Sequence, residues 1–227
     1  MISRNKSKID AKLEGIKQKF PNIETIGIEA DLSKLVSMAD YRDFVQSSGL
    51  DNLDIAVLCL NAGLGNIGSF DLMDDSRLES MININELHVV YLLKALSAQL
   101  LARDKRSAVL IVSSIAANAT VGMYCMTKRM VSNFGQAVHY ELKENVDVTV
   151  WEPGFIWTRI IMEKPPGFLA IETNQAVGDI LAKLGKERRT RGSLIFEMYP
   201  MSLLDSDGNN EFYSKELREK NDKFVEL

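Results

Sequence analysis

Apolar positions along the chain fall into two patterns. Short, unbroken apolar runs alternate with longer segments of helical period. "LDIAVLCLNAG" (53–63), "SAVLIVSS" (107–114) and "VDVTVWEPG" (146–154) are continuous runs closed by glycine, serine or proline, and read as strands buried on both faces. "NIETIGIEADLS" (22–33) reads as a further strand ending at Asp31, and "GSLIFEMY" (192–199) as another. Helices are expected near 6–19, 38–47, 76–103, 122–144 and 172–186. Such alternation predicts an α/β, doubly wound parallel sheet. Right-handed crossovers gather the C-terminal strand ends along one edge, where such sheets bind ligands. The opening "MISRNKSKID" reads as the tail of a strand whose beginning is missing.

Polar residues mark that edge. Asp31 follows one strand, Asn61-Ala62-Gly63 the next, Ser113 and Ser114 end the third, and "PGFIWT" (153–158) follows the fourth. Beyond them, "YCMTK" places Tyr124 and Lys128 four residues apart, on one helix face. A nearby cation favours tyrosinate and is expected to lower the phenol toward the working range of an acid or base. A serine hydroxyl at the adjacent strand end can hold a carbonyl or alcohol oxygen against the phenol. The hydride of such a reaction needs a cofactor, since no side chain supplies one.

Composition narrows the setting. The 227 residues are 46% apolar and 26% charged, with a formal net charge of −4. That suits one domain and gives no footprint for nucleic acid. Two cysteines, Cys59 and Cys125, make no disulfide framework, which suits a reducing, cytoplasmic compartment. No apolar run approaches the roughly 20 residues of a spanning helix, and charges begin at Arg4. His88 and His139 stand without ligand-spaced companions, so no metal site is expected.

Taken in order, these motifs resemble the short-chain dehydrogenase/reductase family over nearly all of residues 1–160. The closer likeness is to its 3-oxoacyl-CoA reductase and 17β-hydroxysteroid dehydrogenase branch. The resemblance implies a Rossmann-type fold and an oxidoreductase interconverting a carbonyl and a secondary alcohol, with an apolar, acyl-like or steroid-like substrate. Tyr124 is then the acid/base, Lys128 the residue that lowers its pKa and binds nicotinamide ribose, and Ser114 the substrate-orienting hydroxyl. Asn85, in "MININ", holds a water that links Lys128 to solvent. Asp31 and Leu32 meet the adenine. Asn61, Ala62 and Gly63 form the family's N-A-G turn, with Leu60 in place of its first Asn. Pro153, Gly154, Ile156 and Thr158 face the nicotinamide carboxamide. Ser3 stands where an acidic residue selects NAD, and Arg4 beside it favours NADP through the 2′-phosphate.

The sequence departs from this pattern in places. The family's first strand and its T-G-x-x-x-G-I-G turn do not precede Arg4, so the expected fold is an N-terminally truncated Rossmann domain over 1–227. Ser114 stands only ten residues before Tyr124, a shorter spacing than usual, which leaves Ser113 and Thr120 as alternatives. Residues 160–190 are expected to form a substrate lid and 211–227 a C-terminal helix; Met162 and Phe168 fit an apolar substrate site, core packing or an exposed surface equally well. "KERRTRG" (186–192) reads as a solvated helix end. A homodimer or homotetramer through the helices near 76–103 and 122–144 is expected by family habit. A second reading is a cofactor-free relative that serves as a binding or scaffold protein, or an inactive fragment.

Overall fold

The apolar runs do become parallel strands. The structure, a computed structural model, describes residues 1–67, 69–120, 122–158, 170–198 and the strand at 223–225. At its centre lies β5 (Ser107–Val112), of the main four-stranded sheet. It pairs on one side with β3 (Val57–Leu60), Val57 opposite Ala108, and on the other with β6 (Val146–Trp151), Ser107 opposite Val146. A short strand, β9 (Arg189–Thr190), extends the sheet beyond β6. Val109, Ile111, Val146, Val148 and Val150 are essentially inaccessible, as strands covered on both faces require.

Helices supply the cover. One face packs against α2 (Met38–Ser47), α4 (His88–Leu101) and α5 (Gly122–Leu142) through Tyr41, Val45, Leu93, Leu96 and Val131. The other packs Leu110 and Trp151 against α6 (Thr173–Lys183) and the one-turn helix α7 (Leu194–Glu197), through Ile180 and Phe196. α5 lies close on the sheet because Gly135 has no side chain: a Cβ there would stand 2.5 Å from a Val150 methyl carbon.

A smaller unit sits beside this sheet. β1 (Ile2–Ser3) leads into α1 (Lys6–Lys19), which returns to β2 (Ile28–Glu29), parallel to β1. Asn5 caps α1 by accepting from the Lys8 amide at 2.9 Å. Gly27 lies against Ile9 of α1, within 2.4 Å of where its Cβ would be. β1 and β2 form a sheet of their own, sharing no ladder with β3. The strand expected over 22–33 is therefore reduced to Ile28–Glu29, and Ile23 and Ile26 stay about half exposed.

Two other expectations change near the C-terminus. "GSLIFEMY" does not extend the sheet; Leu194–Glu197 turn into α7 after the left-handed Gly192, and Phe196 is buried against Gly154. The sheet position goes instead to β9, inside the basic run that had read as a solvated helix end. Within the range expected to form a terminal helix, the described residues Lys223–Val225 form a strand, β10, antiparallel to β4 (Gly65–Ile67). The rest of 211–227 lies outside the described residues, as do Met162, Phe168 and the first part of the expected lid. Its later part holds β8 (Ala170–Ile171), α6 and β9. No described helix is long and apolar enough to cross a membrane.

Candidate active site

β5 ends at Val112 and releases Ser113 and Ser114 in extended conformation before a short turn, Ile115–Asn118. The two serines diverge. Ser113 is buried and donates to the Lys128 carbonyl at 2.6 Å, a structural tie between strand and helix. Ser114 caps the turn, its Oγ accepting from the Ala116 amide at 3.1 Å, and its hydroxyl acts on the Tyr124 phenol, favouring the ionised form. Of the hydroxyls that the sequence left open, Ser113 is tied to the Lys128 carbonyl and Ser114 bears on the phenol.

Tyr124 and Lys128 lie on the first turns of α5, which begins at Gly122 with a φ of 76°. The Lys128 ammonium sits 5.7 Å from the Tyr124 ring centroid and donates to the Val112 carbonyl at 3.0 Å. Lys128 is 4% exposed, and burial pushes its ammonium down to about 8. Burial pushes the Tyr124 phenol up to about 12, although the Ser114 hydrogen bond opposes the rise. The expected lowering of the phenol is thus not found: its pKa is raised. Desolvation dominates, and Tyr124 is a protonated acid at neutral pH.

Asn85 lies in a π-helical stretch, Asn83–Leu87, between α3 (Asp75–Ile82) and α4, a local widening common at functional sites. It is buried and binds the Leu64 backbone twice, accepting from its amide at 2.7 Å and donating to its carbonyl at 2.9 Å. Its amide nitrogen also reaches Thr127 Oγ1 at 3.0 Å. This clamp holds the turn after β3 against α5. A Cβ on Gly63 would stand 3.3 Å from Lys128 Nζ and 3.4 Å from Asn85 Oδ1, so the turn meets the lysine at a glycine.

Ser3, Arg4, Asp31, Leu32, Asn61, Ala62 and Gly63 all line one cavity of about 690 Å³. Its lining also includes the apolar side chains of Ile2, Ile28, Val57 and Leu58, with Leu92 and Leu96 of α4. Burial alone would raise the Asp31 carboxyl. The hydroxyl and amide of Ser33, with the charges of Arg4 and Lys34, overcome that and hold it low. Pro153, Gly154, Ile156 and Thr158 do not line this cavity. Pro153 lies beside the Ser114 turn, its carbonyl accepting from the Ile115 amide at 2.9 Å; Gly154 packs against the Phe196 ring, and Ile156 pairs with Ile171.

Several residues at the site were not singled out from the sequence. Thr127 bridges Asn85 and the Tyr124 carbonyl. His88 is buried at the cavity wall, and Glu152 is buried beside Pro153. A carboxylate closing an otherwise apolar strand was a visible signal for Glu152; Thr127 and His88 had none.

With this geometry in place, likeness to known proteins is informative. A family model, short chain dehydrogenase, matches residues 1–167. The human very-long-chain 3-oxoacyl-CoA reductase is 30% identical over 203 residues, 86% of this chain and 63% of that protein. The chain spans about three fifths of the length of the curated relatives it matches. Among solved structures, one of a 7β-hydroxysteroid dehydrogenase is 21% identical with a TM-score of 0.76, over 96% of this chain and 85% of that one. An NADPH-bound short chain oxidoreductase of Pseudomonas aeruginosa PAO1, with an atypical catalytic centre, is 19% identical with a TM-score of 0.59 over 69% and 61%. These two likenesses show the Rossmann-type α/β fold.

Proposed function

From a chain that belongs to the short-chain dehydrogenase family, we propose an NADP-dependent oxidoreductase that interconverts a carbonyl and a secondary alcohol. The observation that carries the reading is the buried Lys128 ammonium 5.7 Å from the Tyr124 ring, with the Ser114 hydroxyl acting on the same phenol. A carbonyl oxygen between the two hydroxyls accepts hydrogen bonds from both. The phenol, held protonated by burial, donates its proton as the oxygen gains charge, so the site is set for reduction. The Lys128 ammonium and the Ser114 hydroxyl then stabilise the phenolate left behind.

The residues present fit a nicotinamide dinucleotide at both ends of the cleft. Arg4 and Ser3 offer a cation and a hydroxyl for a 2′-phosphate, with Asp31 and Leu32 beside the adenine. At the other end Lys128 offers its ammonium to ribose hydroxyls, where Gly63 leaves room. When bound, the cofactor supplies the hydride. Support for the NADP form comes from the NADPH-bound neighbour, and for an apolar 3-oxoacyl or steroid-like substrate from the names of the relatives.

A second reading, a binding protein without cofactor chemistry, is favoured by the many apolar side chains that line the cavity. Titration of the purified chain with NADPH, following its fluorescence with NADH as comparison, separates the two. Saturable binding that prefers NADPH and weakens about tenfold or more in Arg4→Ala supports the enzyme. Turnover of an apolar ketone that collapses in Tyr124→Phe completes the case. A folded chain that binds neither nucleotide overturns it in favour of the second reading.

A further inference from the structure

Glu152 is a buried carboxylate with four elements around it. It is 1% exposed, although it follows the last residue of β6 directly and precedes Pro153. One carboxylate oxygen accepts from Ser132 Oγ on α5, two turns beyond Tyr124 and one beyond Lys128 on the same helix. The other accepts from Arg189 Nη2 on β9 at 2.8 Å and from Asn118 Nδ2 at 3.3 Å. Arg189 also donates to Asn118 Oδ1 at 3.0 Å, which closes a three-membered ring of bonds. Asn118 ends the turn that Ser114 begins, and its Nδ2 reaches back to the Ile115 carbonyl at 3.2 Å. The backbone repeats the tie. The Glu152 amide donates to the Thr190 carbonyl at 2.8 Å, and the Pro153 carbonyl accepts from Ile115.

Resting on the oxidoreductase reading, we propose that Glu152 is a positioning residue. With Arg189 as its counter-charge, it fixes the Ser114–Asn118 turn relative to α5 and so sets the Ser114 hydroxyl against the Tyr124 phenol. The turn is short, and the Ser114 Oγ, whose hydroxyl acts on the phenol, is also the cap of its first residues. A turn held only by that cap would be free to swing the hydroxyl away, whereas the Asn118 clamp holds its far end. The two ends therefore act together. A buried carboxylate serves this role better than an amide because its two oxygens accept from three side chains at once, one of them a guanidinium.

The test uses the full chain as wild type, as Glu152→Gln, as Arg189→Gln and as the double variant. Amide hydrogen exchange and steady-state kinetics with NADPH and an apolar ketone are measured on each. Either single change is expected to speed exchange at Ala116, Ala117 and Ala119 about tenfold or more, while Val109–Val112 and Val131–Phe134 stay within about twofold. In parallel kcat falls about tenfold with KM little changed, as loss of an alignment needed only in the reaction requires. The double variant is no worse than the poorer single one, because the two side chains act as one unit. Exchange that quickens equally throughout the chain, or turn amides that do not respond, overturns the proposal, as do additive effects. A wild-type chain without turnover that still shows the localised, non-additive exchange pattern removes the oxidoreductase reading and leaves the clamp standing.

Discussion

Asn85 holds Leu64 by both of its backbone groups, at 2.7 Å on the amide and 2.9 Å on the carbonyl. A side-chain amide paired this way replaces a missing strand neighbour, since the turn after β3 has no ladder of its own there. Asn85→Ala leaves two buried backbone groups and Thr127 without that partner. The expected loss is about 2–4 kcal/mol in urea unfolding, with faster exchange at the Leu64 amide. A change below about half a kcal/mol would show that water takes over the role.

The depressed ammonium of Lys128, about 8, predicts a pH profile. Reductive kcat should fall roughly tenfold per unit above about pH 8, as the charge that stabilises the phenolate is lost. The fall is not unfolding. A lysine whose folded value lies below its unfolded 10.5 burdens the fold while charged, and that burden eases as pH rises from about 8. Lys128→Arg keeps a cation at every working pH, so in whatever activity it retains the alkaline limb should vanish. A limb unchanged by that substitution would assign it elsewhere.

His88 makes the chain sensitive to acid. Burial pushes its imidazole down to about 4 from an ordinary 6.5, with the Lys128 charge adding to the effect and the Ile84 hydrogen bond opposing it. The unfolded chain protonates first, so stability is full above about pH 6.5 and is lost progressively as pH falls toward 4. The shift amounts to about 3 kcal/mol. His88→Gln should flatten the unfolding free energy between pH 6.5 and 4.5 relative to wild type. An equally steep dependence in both would place the sensitivity in the carboxylates.

Gly135 marks where α5 touches the sheet. An alanine methyl there stands 2.5 Å from Val150 and 2.9 Å from Ile111 side-chain carbons. Gly135→Ala is expected to cost about 1–3 kcal/mol by overpacking, even after the gain of about 1 kcal/mol in helix propensity. Val150→Ala in the same chain should recover part of the loss, and thermal unfolding of the single and double variants reads both.

What the sequence disclosed follows from distance along the chain. β3, β5 and β6 were legible because burial on both faces makes each an unbroken apolar run. The four-residue spacing of Tyr124 and Lys128 was legible because one helix turn sets it. β9 was not, being a polar Arg-Thr pair recruited by the edge of β6, and Leu194–Glu197 looked like a strand until Gly192 turned it. The Leu64 clamp joins residues 21 apart and the Glu152–Arg189 pair residues 37 apart, and no local pattern announces either. The sign of the phenol's shift was missed for a related reason. The sequence displayed the cation, while the desolvation that outweighs it exists only once the chain is packed.

The separation of β1 and β2 from the main sheet has a mechanical consequence. Residues 1–31 bond by ladder only to themselves and lean on the rest through side chains such as Ile2 and Ile28. That unit can lift as one piece without breaking a single hydrogen bond between strands of the larger sheet, at a free energy well below that of global unfolding. Any molecule that reaches from Arg4 to Lys128 would join the two pieces from within. Its affinity would then include the work of keeping them closed, and its arrival would register as slowed exchange at the Ile28 and Ala30 amides, remote from the chemistry at Tyr124.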